Sequence, residues 1–261
     1  MSAPGFETIL YETDDDKVAT ITLNRPDALN AFDRQMCEEV RAAWKLVKDD
    51  ADVHAAVVRA AGDRAFCSGV DTRKSYGQPD DVWNHEDPGE LVSPKAQQVW
   101  KPVVCAVHGI CTAGALYFLN EADIVICSPD ATFFDSHVTY GLVSALEPVG
   151  LMRRVGLAET LRIALMGNDE RVTADTALRI SLVTEIVERD QLWARAHEIA
   201  AQIARKPKSA TQGTVRAIWE SLDKPYRAAM LQNLTYTRLG NPIGQAEVAE
   251  KGPDRPEPRT R

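Results

Sequence analysis

The chain has 261 residues, a formal net charge of -8, and 44% hydrophobic and 26% charged residues. This composition fits a sizeable core in one large domain, or a domain with a helical appendage, and its acidic balance argues against a nucleic-acid surface, which needs a basic face. No apolar run reaches the roughly 18 residues that span a bilayer, Met1 to Tyr11 lacks a basic-then-apolar secretory pattern, and five cysteines without a CxxC pair read as buried thiols in a reducing cytoplasm.

VATITL (18–23) reads as a strand. Asp33 is placed to cap a helix running to about Lys48, with Met36, Val40, Ala43 and Val47 on its buried stripe. AAVVRA (55–60) is a short apolar strand, and AGDRAFCSGVD after it reads as a glycine-containing loop. Residues 71–95, rich in Pro, Gly and acids, read as a loop with at most a short helical turn. PVVCAV (102–107) is the next strand, a small-residue stretch then opens a helix of about two turns, DIVIC (123–127) is another strand, and TFFD is strand-like. That order marks stacked β-α units with parallel strands.

Beyond Gly141 the pattern turns helical, over 148–156, 158–166 and 173–179, with Gly167 ending the second helix and Thr173 capping the third. Over 190–205, Leu192, Ala196, Ile199 and Ile203 share a face, and Pro207 stops the helix. Further helices are expected over 209–222 and about 225–238. The expected organisation is an α/β core over 1–200, a helical region over 201–251 and a disordered tail over 252–261.

Two glycine-containing turns follow strands, FCSGVD and CTAGAL. Neither is a P-loop and neither matches GxGxxG. Two backbone N–H donors aimed at one point suit a carbonyl oxygen that becomes negative during reaction. Tight helix–strand packing accounts for the same small residues, and spacing alone leaves both readings open. Five histidines form no HxxxH and no Cys/His cluster, so no metal site is expected.

The ordered set ITLNRPDALNAF, AAVVRAAGDRAFCSGVD, KPVVCAVHGICTAGALYFLNEADIVICSPDATFF, YGL and AETLRIALMGNDERVTADTALRISLVTEIV resembles the crotonase superfamily, the enoyl-CoA hydratase/isomerase family, over almost the whole chain. The resemblance implies a spiral of β-β-α turns with a C-terminal helical trimerisation region, and a homotrimer or a hexamer built from two trimers. It implies an acyl-CoA thioester substrate, with coenzyme A as part of that substrate and no other cofactor. The oxyanion-hole donors fall on Val70 and Gly114. The CoA-binding positions fall on Ala28, Leu29, Ala65, Phe66 and Ser68, with Arg25, Arg64 and Arg73 as phosphate partners or solvated surface charges. Lys251 stands where the family often places a basic residue near a neighbouring subunit's CoA, but the Arg and Phe that usually follow it are absent.

The chain departs from this pattern at both catalytic glutamates, whose positions carry Tyr117 and His137. Water addition by two glutamates is therefore not supported, and isomerisation, hydrolysis, C–C cleavage or another specialised acyl-CoA reaction stands beside hydration. Tyr117 is a candidate hydrogen-bond donor or a packed aromatic that narrows the pocket. His137 is a candidate base or acid, or a structural histidine. Glu147 is a candidate acid facing the acyl group, or a helix-start acid before Pro148. Asp135 would orient His137 if both lay on one strand. Trp83 is expected in one wall of the acyl pocket, and Cys67 and Cys111 are expected to pack rather than react. The competing functional reading is a protein that binds acyl-CoA without turning it over.

Overall fold

The computed structural model describes residues 5–74, 87–252 and 257–260, the Lys251 side chain excepted. Trp83, the Lys251 side chain and half of the expected disordered tail lie outside the described residues. Ten strands are described: β1 (Ile9–Thr13), β2 (Val18–Leu23), β3 (Ala55–Ala60), β4 (Ala65–Cys67), β5 (Val103–Val107), β6 (Ile110–Thr112), β7 (Ile124–Cys127), β8 (Thr132–Phe134), β9 (Val172–Thr173) and β10 (Glu185–Ile186). The helices are α1 (Arg34–Asp49), α2 (Pro88–Val92), α3 (Leu116–Glu121), α4 (Glu147–Val155), α5 (Leu157–Met166), α6 (Ala174–Arg179), α7 (Leu192–Ala204), α8 (Lys208–Ser221) and α9 (Tyr226–Lys251).

Six strands form one sheet in the order β1-β2-β3-β5-β7-β10, parallel except for the β1–β2 pair. A smaller sheet runs β4-β6-β8-β9, parallel except for its β8–β9 edge. The central parallel strands β5 and β7 are apolar throughout because both faces are covered. Alternate residues divide between two cores: Ala19, Ile21, Ala56, Val58 and Cys105 face the large one, while Val18, Ala55, Val57, Val104 and Ala106 face α7.

Asp33 caps α1 by accepting from Met36 N at 3.0 Å, and the expected apolar stripe of α1 is buried. The buried face of α7 is rotated from the expected one. Leu192, Ala196, Ala200, Ala201 and Ala204 are buried, while Ile199 is only half-buried against that cluster and Ile203 is half-buried. Small alanines let the helix lie close on a sheet face built of Val and Ala. The last helix runs past its expected end at 238 to Lys251, with Pro242 inside it. Beyond that proline it stays tied to α8, since Glu247 accepts from Lys208 N at 3.0 Å at the start of that helix.

The loop expected over 61–71 contains β4, and the small-residue stretch contains β6. The two pair in parallel and set the two glycine-containing turns side by side. All five cysteines are buried free thiols. Among the described residues no helix is long and apolar enough to cross a membrane.

Candidate active site

A cleft of about 1050 Å³ opens where the turns after β4 and β6 meet. Val70, Gly114 and His137 line it, together with Ala28, Leu29, Ser68, Arg64 and Arg73. Phe32 N donates to Gly69 O and Asp71 N donates to Phe32 O, each at 2.9 Å, in a parallel bridge that turns the Val70 N–H away from Phe32. Gly114 lies in a 3-10 turn (Ala113–Ala115) leading into α3, where the first N–H groups have no partner within the helix.

The two turns touch. A Cβ on Gly69, whose φ is 84°, would lie 3.0 Å from Gly114 N, and a Cβ on Gly114 would lie 2.6 Å from Phe32 Cζ. Ala113 beside them has a φ of 52°, a left-handed conformation that costs a non-glycine residue energy and concentrates at functional sites.

Leu29 and Asn30 also have left-handed φ values, 54° and 52°. Asn30, missed in the sequence because a lone Asn after Leu carries no pattern, holds this turn. Its Oδ1 accepts from Arg25 N, and its Nδ2 donates to Ala61 O and Ala65 O, all at 2.9 Å. Ala65 and Phe66 are buried in β4, with the Phe66 ring edge-on to Phe118 in the core, and neither lines the cleft. Arg25 is engaged by Asp71 at 2.9 Å and by Ala31 O, which makes it a strut of the loop. Hydrogen bonds from Arg73, then from Arg25, hold the Asp71 carboxyl well below the usual range.

His137 begins a 3-10 turn (His137–Tyr140) instead of continuing β8, so the expected strand geometry linking it to Asp135 does not form. The pairing forms through the turn. Asp135 Oδ1 lies 2.5 Å from His137 Nδ1 and accepts from His137 N at 3.0 Å, and Ser144 Oγ donates to Asp135 Oδ2 at 2.5 Å. Ser144 carries no spacing signal that would have marked it in the sequence. On the other side of the ring, His137 Nε2 lies 3.7 Å from Glu147 Oε1.

Glu147 both starts α4 and faces His137, so the two readings of this acid coexist. Asn120 on α3 fixes its backbone by donating to Glu147 O at 2.8 Å. The hydrogen bond to Asp135 raises the His137 pKa, and burial raises that of Glu147. Burial alone would raise Asp135, but the hydrogen bonds from His137 and Ser144 outweigh it and lower its pKa. A buried acid with a raised pKa beside an imidazole held toward its charged form makes a pair able to pass one proton.

Tyr117 stands one turn beyond Gly114, and its hydroxyl donates to Asp87 at 2.6 Å. Burial, then this bond, raises the hydroxyl's pKa, so it stays protonated and does not serve as a base. Cys67 beside the Gly69 turn is fully buried, and burial pushes its thiol up to about 12. Burial raises the thiol of Cys111 as well. These two cysteines therefore pack as expected and lack the thiolate character of a nucleophile.

Residues 13–254 match the enoyl-CoA hydratase/isomerase family. The chain is 30% identical over 216 residues to the (E)-benzylidenesuccinyl-CoA hydratase of Thauera aromatica, covering 82% of this chain and 83% of that protein. An enoyl-CoA hydratase/isomerase structure from Mycobacterium paratuberculosis superposes with a TM-score of 0.81 at 42% identity, covering 90% of each chain. An enoyl-CoA hydratase from Mycobacterium smegmatis superposes with a TM-score of 0.84 at 27% identity, over 96% of this chain and 98% of that one. The mixed sheets and C-terminal helices are thus the crotonase fold, and the chain belongs to the enoyl-CoA hydratase/isomerase family.

Proposed function

We propose that this enzyme binds an acyl-CoA thioester in the cleft, with the thioester oxygen against the Val70 and Gly114 N–H groups, and that His137 and Glu147 move the proton. The observation that carries this reading is the placement of His137, which faces Glu147 across 3.7 Å and lines the same cleft as the two donors. Charge that develops on the thioester oxygen as a proton leaves the α-carbon would be met by two preorganised donors, each contributing about 2.7–4 kcal/mol to the transition state. Asp135 accepts from the Nδ1 side of His137, so Nε2 is the reacting nitrogen. Ala28, Leu29 and Ser68 form the wall along which the CoA lies, with Arg64 and Arg73 near its phosphates.

The reaction is addition of water to an enoyl thioester, or migration of its double bond, run by an imidazole and one carboxylate in place of two carboxylates. In the hydration direction Glu147, as a carboxylate, takes a proton from water, and protonated His137 gives one to the α-carbon of the enolate. Exchange of α-hydrogens tests the enolate step that both reactions share, whatever the natural acyl group. Butanoyl-CoA incubated with the enzyme in deuterium oxide is expected to gain deuterium at the α-carbon. Tight binding without any exchange would overturn the reading in favour of a protein that only holds acyl-CoA.

A further inference from the structure

The small sheet underlies the cleft, with its strands in the order β4, β6, β8, β9. Ser68 follows β4, Thr112 ends β6, Phe134 ends β8 and Arg171 directly precedes β9, and all four line the cleft. Thr112 pairs with Phe134, and Phe133 pairs antiparallel with Val172, so the same register sets Arg171 opposite Phe134. Arg171 therefore stands two strand steps from Thr112, roughly 10 Å across the sheet.

The thioester reading gives this row a direction. The carbonyl carbon of a thioester carries sulfur on one side and the acyl chain on the other. With its oxygen at the Val70 and Gly114 turns and its CoA along Ala28, Leu29 and Ser68 on the β4 side, the acyl chain runs toward β8 and β9. His137, three residues after Phe134, meets its first carbons, and Arg171 stands beyond.

Phe134 and Arg171 form one unit at that end. Phe134 is buried yet joins neither hydrophobic core. The guanidinium carbon of Arg171 lies over its ring, 4.5 Å from the centroid. A contact of this kind spends none of the five N–H donors, which form a planar fork matched to a carboxylate. The other cleft cations stand elsewhere: Asp71 engages Arg73, and Arg64 directly precedes β4 on the CoA side. Among the described residues no carboxylate forms an ion pair with Arg171.

We infer that Arg171, carried on Phe134, binds a second carboxylate at the distal end of the acyl group, so that the enzyme prefers thioesters of dicarboxylic acids. This rests on the thioester reading above and adds the substrate class.

Calorimetry with saturated esters reads this preference without turnover. Succinyl-, glutaryl- and adipyl-CoA would be titrated beside butanoyl-, pentanoyl- and hexanoyl-CoA, their partners of equal length, and beside free CoA. In wild type at least one dicarboxylic ester is expected to bind at least ~5-fold tighter than its partner, since an exposed ion pair reaches about that and a bidentate one exceeds it. Arg171→Leu should abolish the preference and leave binding of the monocarboxylic ester and of free CoA unchanged. Arg171→Lys keeps the charge without the planar fork and should retain only part of the preference. A wild type that prefers no dicarboxylic ester would overturn the inference. Equal weakening of every ester and of free CoA in Arg171→Leu would also overturn it, by placing a CoA phosphate at Arg171. If α-hydrogen exchange fails while the preference holds, the catalytic reading falls and the carboxylate site stands; exchange without the preference does the reverse.

Discussion

Glu147 Oε1 lies 3.7 Å from His137 Nε2, beyond a hydrogen bond but within strong electrostatic reach. The two groups arrive from different elements, the turn after β8 and the first residue of α4, and Asn120 holds the second against α3. If they share the proton, removing either one disables the step while the binding wall is untouched. Glu147→Gln and His137→Ala should each lower kcat about 10²–10⁴-fold, with the Kd for a saturated acyl-CoA changed less than about threefold. Steady-state kinetics paired with calorimetric binding checks this.

Asp135 acts through His137. In Asp135→Asn the His137 pKa should fall toward its ordinary 6.5, so the limb of the pH–kcat profile that reports His137 moves to lower pH. Ser144→Ala, which removes only a support of Asp135, should move it less. The same shift links to stability. A histidine whose folded pKa is raised contributes stability that is present in full below its unfolded pKa and lost as pH rises through the folded value. Wild type should therefore exceed His137→Ala in stability by more at about pH 5 than at about pH 9, and urea melts at both values read the difference.

Gly69 is predicted to be required by the donor pair. A side chain there would meet a left-handed φ of 84° and crowd Gly114 N at 3.0 Å. Gly69→Ala should cost about 10²–10³-fold in kcat, the worth of one oxyanion donor. Circular dichroism confirms that the variant is folded before its kinetics are read.

Asn30 carries the turn that presents Ala28 and Leu29 to the cleft. Asn30→Ala leaves the Ala61 and Ala65 carbonyls and the Arg25 N–H without their buried partner and places alanine at a φ of 52°. The expected cost is about 2–4 kcal/mol of stability, with weaker CoA-thioester binding, measured by urea titration and calorimetry.

The buried thiols give a simple control. Burial pushes Cys67 up to about 12 and raises Cys111 well above its ordinary value. Iodoacetamide at neutral pH should leave both unlabelled and activity intact until the chain is unfolded. Labelling in the native state, read by peptide mass spectrometry, would restore Cys67 as a candidate nucleophile.

Much of this fold is legible in the sequence, because long elements repeat their signal. The Met36–Val47 stripe, the Asp33 and Thr173 caps and the apolar runs of β2, β3 and β5 each use several residues to say one thing. The three-residue strands β4 and β6 are too short to show an alternation, and edge strand β1 is half exposed, so they were hidden. In α7 the isoleucines outweighed the alanines by hydrophobicity, yet close approach to the sheet favoured the alanines. At the site, the resemblance pointed to Val70, Gly114 and His137, which line the cleft, and to Glu147, which faces His137, but not to the polar groups around them. Asp87, Asn30, Asn120 and Ser144 act through hydrogen bonds between residues distant in sequence or in irregular turns, where no period exists to read.

The central claim is that His137 and Glu147 together move a proton on a thioester held by Val70 and Gly114. Its most direct test is a panel of short, long, branched and cyclic 2-enoyl- and 3-enoyl-CoA esters, incubated with wild type, His137→Ala and Glu147→Gln and resolved by chromatography and mass spectrometry. Wild type is expected to add water to, or isomerise, at least one ester, and both variants to lose that conversion while still binding it. Conversion at the wild-type rate in both variants would contradict it.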